Sequence, residues 1–145
     1  MPSEPPAIVI ADDDWGTRMV VALNLEPDGY EVRSAASARE LDEALADGRA
    51  GLVLLDIRMG GDNGIELARR LADEHPEVAV VFLTGARYLL TAAENDLAYE
   101  LIEKPFTIER LRATVARLCP LEQRAAGPAA GHRSGLIGPA GGRFV

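Results

Sequence analysis

The sequence predicts an α/β fold, a doubly wound five-stranded parallel sheet with helices on both faces. Three observations predict it. Short apolar runs recur between residues 7 and 120, and each stops abruptly at a polar residue or a glycine. The runs are apolar at every position rather than every second one, which suits strands covered on both faces. Between the runs, apolar residues repeat at helical spacing, so strand and helix alternate along the chain.

The first strand is read at Ala7 to Ala11, ending in Asp12, Asp13 and Asp14. A helix follows with Met19, Val20 and Leu23 on one face, and Trp15 is read as helix packing. Tyr30 to Ser34 alternates more and suits a more exposed strand. The next helix opens at Ser37 with Glu40 three residues on, a capping box, and presents Leu41 and Leu45. The third strand, Leu52 to Leu55, runs into Asp56. Asp62 and Asn63 serve the turn before Gly64, and Ile65, Ala68, Leu71 and Ala72 mark the third helix. The fourth strand, Ala79 to Leu83, ends in Thr84 and Gly85. The segment from Tyr88 to Asp96 has the faintest helical pattern, so the fourth helix is expected to be short or irregular. Glu100 to Ile102 is a fifth strand before Lys104 and Pro105. Thr107 then caps a last helix carrying Ile108, Leu111, Val115 and Leu118.

The 145 residues are enough for one domain with a real core. Residues 1–6 are read as a flexible N-terminus, 7–120 as the domain, and 121–145 as a tail rich in Gly, Ala and Pro. That tail is too short for a further effector domain, so a stand-alone module is expected. The net charge of −8 argues against a nucleic-acid partner bound by a basic face. The lone Cys119 cannot form an internal disulfide, and no signal peptide or membrane-crossing run is seen. A cytoplasmic location without membrane association is the expectation.

The polar residues at the strand ends carry the chemistry. In a parallel sheet they gather at one edge, which is where ligands bind in such folds. Asp12, Asp13, Asp14 and Asp56 would crowd there and repel one another. The usual remedy is a hard cation with oxygen ligands, such as Mg²⁺, beside a basic group. Every basic residue except Lys104 is arginine, and Lys104 falls at this same edge. A carboxylate beside Mg²⁺ and Lys is equipped to accept a phosphoryl group. Thr84 is placed to hydrogen-bond that group once it arrives.

Four motifs carry a resemblance: Ile8 to Asp14, Leu52 to Gly64, Phe82 to Gly85, and Glu103 to Phe106. Together, in this order, they resemble the receiver domain of response regulators in two-component signalling, over about residues 7–118. The resemblance implies a CheY-like fold of the flavodoxin type. It implies Asp56 as phosphoacceptor, charged by a sensor histidine kinase or a histidine phosphotransfer protein. It implies Mg²⁺ bound by Asp13, Asp56 and the backbone carbonyl of Arg58, with Asp12 acting through a water. Lys104 would pair with the phosphoryl group and Thr84 would move to bond it. The family position for a switch aromatic is Leu101 here, and Tyr99 is the candidate substitute. Gly60 stands where the family often has Pro, and Thr84 to Lys104 is shorter than usual by roughly half a helical turn.

The expected function is a single-domain response regulator that either switches a downstream protein partner or relays the phosphoryl group. It is expected to catalyse only its own phosphorylation and dephosphorylation. A homodimer is compatible with the sequence. The alternatives are a degenerate receiver that binds proteins regardless of phosphorylation, and a haloacid-dehalogenase-type phosphatase, for which Gly16 is wrong. Asp14 is read as a helix cap, the Arg58 side chain as a solvated loop group, and His75 and His132 as surface residues without partners.

Overall fold

A computed structural model describes residues 5–121. Five parallel strands form the main sheet: β1 (Ala7–Ala11), β2 (Glu31–Ala35), β3 (Ala50–Leu55), β6 (Ala79–Thr84) and β7 (Glu100–Glu103), in the order β2-β1-β3-β6-β7. Between β3 and β6 the chain adds a small antiparallel hairpin, β4 (Arg58–Met59) and β5 (Asp62–Asn63). The helices are α1 (Trp15–Leu25), α2 (Ala38–Leu45), α3 (Gly64–Glu74) and α4 (Ile108–Leu118). No helix among the described residues is long and apolar enough to cross a membrane.

Alternation along the central strands builds a core on each face. Val9, Val53, Leu55, Val80 and Phe82 face Leu41 and Leu45 of α2 and Ile65, Ala68 and Leu71 of α3. Ile8, Ile10, Leu52, Leu54, Val81 and Leu83 face Val21 and Leu25 of α1 and Leu111 and Val115 of α4. Both faces of β1, β3 and β6 are therefore closed to water, which is why these strands contain no polar residue before Thr84 at the end of β6. Each fully buried aliphatic side chain contributes roughly 1.5–3 kcal/mol from burial.

The caps follow the sequence. Asp14 accepts from the Thr17 amide, Ser37 from Glu40, Asn63 from Ile65 and Glu66, and Thr107 from Arg110. Glu40 reaches back past the cap, accepting from the Ala36 amide at 2.7 Å rather than from that of Ser37. Helix α1 turns a different face inward from the one expected of Met19, Val20 and Leu23. Val21 and Leu25 form its buried face, whereas Trp15 and Leu23 are each 63% exposed and Met19 is 38% exposed. Trp15 is thus not packing but part of an outward apolar stripe.

The fourth helix is not α-helical at all. Residues between β6 and β7 form two 3-10 turns, Arg87–Leu89 and Glu94–Leu97. At Gly60 the backbone has φ 59°, a conformation closed to Pro, so glycine here is what lets the β4–β5 hairpin turn.

Gly64 is required for a different reason. A Cβ there would lie 2.2 Å from the Asp56 carbonyl oxygen and 2.7 Å from the Ile57 Cα. Only glycine lets the start of α3 dock on the backbone that carries Asp56, and the Gly64 amide donates to the Ile57 carbonyl at 2.7 Å. Gly64→Ala is expected to lower stability by about 3 kcal/mol, read from the midpoint of chemical denaturation. An unchanged midpoint would contradict this account of the close approach.

Candidate functional site

The sheet itself fixes the site backbone. Each key residue extends its strand by one more ladder bond. The Asp12 amide donates to Ala35 at 2.9 Å, the Asp56 amide to Ala11 at 3.0 Å, and the Lys104 amide to Thr84 at 3.0 Å. Thr84 is the last residue of β6. Four side chains from four strands thus meet at the carboxyl edge.

Asp12, Asp13 and Asp56 each bring a carboxylate oxygen within 4.8 Å of the others. Asp12 is fully buried, Asp56 is 8% exposed, and Asp13 is exposed. Lys104 Nζ donates to Asp12 Oδ2 at 2.7 Å and to Asp56 Oδ2 at 3.5 Å. Thr84 Oγ1 donates to Asp56 Oδ1 at 2.7 Å, and the Arg58 amide donates to the same oxygen at 3.2 Å. The Asp14 amide donates to Asp12 Oδ1 at 2.9 Å. Asp13 Oδ2 lies toward Gly60, where a Cβ would sit 3.5 Å from it.

Burial is the largest influence on both members of the Asp12–Lys104 pair. It pushes the Asp12 carboxyl above its usual value, and the bonds from Lys104 and the Asp14 amide reverse this only in part. For Lys104 burial acts downward, but the Asp12 and Asp56 carboxylates outweigh it and hold the ammonium above its usual value. The hydroxyl and amide of Thr17 hold Asp14 below the ordinary carboxylate value, consistent with its work as a cap.

This donor set suits one kind of cation. The three clustered carboxylates supply only oxygen, and Lys104 offsets one of their charges. The remaining two negative charges and the hard donors fit a divalent ion such as Mg²⁺. Asp13 is the accessible member, so an ion can reach the cluster from solvent.

Leu101 pairs in register with Phe82 and packs on the core beside it, while Tyr99 is 66% exposed just before β7. Three contacts were not legible in the sequence. Arg18 Nη1 donates to the Asp12 carbonyl at 2.8 Å, and the Ala38 amide donates to Asp62 Oδ2 at 2.8 Å. Arg58 Nη1 donates to the Tyr88 hydroxyl at 2.9 Å, so its side chain is bonded rather than merely solvated. Only Arg18 left a signal, being the one basic residue of α1. His75 has an acidic neighbour after all, with Glu77 3.9 Å away, and His132 lies outside the described residues.

The model of the response regulator receiver domain matches residues 8–116. The chain belongs to the response regulator receiver family. Relatives of this receiver include the nitrogen assimilation regulatory protein NtrX of Azorhizobium caulinodans, 42% identical over 111 residues, which cover 72% of this chain and 24% of that protein. Sporulation initiation phosphotransferase F of Bacillus subtilis is 29% identical over 117 residues, covering 79% of this chain and 94% of its own length. Among solved structures, the NtrX receiver domain of Brucella abortus superposes with a TM-score of 0.71 at 34% identity, covering 77% of this chain and 97% of that one. The response regulator TrrA of Thermotoga maritima, solved in complex with Mg²⁺–BeF, gives a TM-score of 0.71 at 26% identity, covering 78% and 98%. The receiver spans about a quarter of the length of the transcriptional regulators it matches.

Proposed function

We propose that this receiver accepts a phosphoryl group on Asp56 from the phosphohistidine of a sensor histidine kinase or histidine phosphotransfer protein. The phosphorylated form then switches a downstream protein partner or passes the group on. The observation that carries the reading is the placement of Asp56. Among the described residues it is the one carboxylate that touches both Lys104 and Thr84 while sharing a cation-sized cluster with Asp12 and Asp13.

In the reaction an Asp56 oxygen attacks phosphorus. The new O–P bond forms as the donor's P–N bond breaks, and that electron pair returns to the imidazole. Asp13, Asp56 and the Arg58 carbonyl would hold Mg²⁺, with Asp12 contributing through a water; the bound ion offsets charge on the transferring group. Lys104 places a positive charge beside Asp56 Oδ2, where phosphoryl oxygens gather charge. Thr84 supplies a hydroxyl donor on the opposite oxygen. On this reading the chain is a signalling component that acts on itself rather than an enzyme with turnover, and it works in the cytoplasm. Titration with beryllofluoride and Mg²⁺, a phosphoryl mimic, tests the reading. Saturable binding that requires Mg²⁺ is expected, and no binding would contradict it.

The outward stripe on α1 gives the phosphodonor protein a place to dock. Trp15, Met19 and Leu23 are spaced by four residues on one helix face. Trp15 immediately follows Asp14, so the stripe begins at the rim of the site. A donor histidine must approach this rim, and a partner resting its own apolar helix here would bring it to Asp56. Trp15→Ala is expected to slow labelling by a protein phosphodonor about tenfold, the effect of losing one buried aromatic anchor. Labelling by acetyl phosphate should be unchanged. Equal slowing with both donors would count against a docking role.

A further inference from the structure

The segment between β6 and β7 has no α-helix to carry a signal outward, and Leu101 offers no aromatic ring. Another route from Asp56 to the surface exists, through a ring closed by four hydrogen bonds and the short stretches of chain between them. Asp56 Oδ1 accepts from the Thr84 hydroxyl at 2.7 Å. Thr84 Oγ1 in turn accepts from the Ala86 amide at 3.0 Å. Two residues on, the Tyr88 hydroxyl accepts from Arg58 Nη1 at 2.9 Å. The Arg58 amide returns to Asp56 Oδ1 at 3.2 Å. A single carboxylate oxygen therefore anchors both ends of the clasp that joins Arg58 to Tyr88.

We propose that Tyr88 is the reporter of phosphorylation in this receiver, clasped by Arg58 while Asp56 is a free carboxylate and released when the acyl phosphate forms. The inference rests on the phosphoacceptor reading of Asp56 and goes beyond it in naming the read-out.

Release has three physical causes. First, the acyl phosphate turns the ionised carboxylate into an uncharged acyl group and moves the negative charge out to the phosphoryl oxygens. Its carboxyl oxygens are weak acceptors, so the Thr84 hydroxyl and the Arg58 amide lose the partner that anchors the ring. Second, the Thr84 hydroxyl has one proton. Given to a phosphoryl oxygen it no longer serves Asp56, and the Ala86 amide, bonded to the same Oγ1, must follow it or lose its acceptor. Third, the Arg58 guanidinium gains a better acceptor. A phosphoryl group carries about −1.5 to −2 charges at neutral pH. An Arg–phosphate pair adds the attraction of opposite charges and room for a second, parallel hydrogen bond, which the guanidinium's bond to a neutral phenol lacks.

Tyr88 is 70% exposed, so its freedom is visible to a partner. It also sits beside exposed Leu89. Tyr99 is as exposed, yet it is linked to the body by its backbone amide, which donates to Val80 at 2.8 Å. Its ring shares no bond with any member of the ring of hydrogen bonds around Asp56.

Hydrogen exchange of amides 86–91 in the full chain tests the proposal, with and without beryllofluoride and Mg²⁺, and with binding followed separately by fluorine NMR. In the wild type the mimic is expected to speed exchange of this segment about fivefold, the effect of losing one hydrogen bond. Tyr88→Phe keeps the ring but not the hydroxyl. It should exchange fast from the start and change less than about twofold on binding the mimic. Tyr99→Phe should behave as the wild type. A full response in Tyr88→Phe, or a response blunted by Tyr99→Phe instead, would overturn Tyr88 as reporter. So would bound mimic with no change in the wild-type segment. Failure of the wild type to bind the mimic would overturn the phosphoacceptor reading itself, and the clasp with it.

Discussion

Lys104→Met is expected to destabilise the receiver by about 2–3 kcal/mol at neutral pH, and the loss should shrink as the pH falls. Asp12 is fully buried and its Oδ2 is bonded to Lys104 Nζ at 2.7 Å. Met keeps much of the lysine stem's volume and removes the charge. Asp12 is then a buried carboxylate held by one amide bond, among like charges. Breaking a buried pair from one side costs several kcal/mol because the other charge stays uncompensated. Lys104 keeps a quarter of its side chain exposed, which places the cost at the lower end.

The sign of the pH dependence follows from Asp12. Its folded carboxyl already lies above 3.8, and without Lys104 it rises further. A carboxyl raised by folding binds its proton more readily in the native state, so stability increases as the pH falls through that raised value. The paired acids on the other side of the domain act in the opposite sense. Arg33 and Arg49 hold Glu31 below its ordinary value of 4.5, and Arg33 holds Asp47 down at about 2. Their contribution is complete above 4.5 and is lost only at lower pH. The difference between variant and wild-type denaturation midpoints, compared between neutrality and pH 4.5, therefore reports on the carboxylates that face Lys104 rather than on these pairs. The double variant Asp12→Asn, Lys104→Met should recover most of the loss and show no such recovery with acid. A pH-independent loss, not relieved by Asp12→Asn, would contradict the pairing.

Asp56→Asn is expected to abolish phosphoryl uptake and to stabilise the metal-free fold by about 1 kcal/mol. The asparagine carbonyl oxygen can still accept from Thr84 and the Arg58 amide, so the ring of bonds around it is kept. What disappears is one charge from a cluster whose carboxylate oxygens lie within 4.8 Å of one another. Repulsion from two carboxylates is relieved, while the longer contact to Lys104 at 3.5 Å is lost. The first effect outweighs the second. Because a divalent cation removes the same repulsion, the stability gain should vanish in Mg²⁺. A gain of equal size with and without Mg²⁺ would argue that the cluster does not hold the ion.

The sheet and its edge were legible in the sequence because short runs without polar residues are hard to place anywhere but a two-sided parallel sheet. Once Ala7–Ala11, Leu52–Leu55 and Ala79–Leu83 are strands, the polar residues after them must share one edge. The buried face of α1 was not legible. Trp15, Met19, Val20, Val21, Ala22, Leu23 and Leu25 are all apolar, so periodicity alone does not say which face turns inward. The structure buries Val21 and Leu25 and leaves Trp15, Met19 and Leu23 outside. The irregular stretch before β7 was legible as a weak pattern, but not its replacement by two 3-10 turns. The link from Arg58 to Tyr88 crosses thirty residues of sequence and left no local trace.

The central claim is that Asp56 is a Mg²⁺-dependent phosphoacceptor. Intact mass after incubation with acetyl phosphate tests it most directly, with and without Mg²⁺, beside Asp56→Asn. The account predicts one added phosphoryl group in the wild type with Mg²⁺, and none without the ion or in the variant. An adduct that persists in Asp56→Asn, or no adduct in a wild type that binds both Mg²⁺ and beryllofluoride, would contradict it.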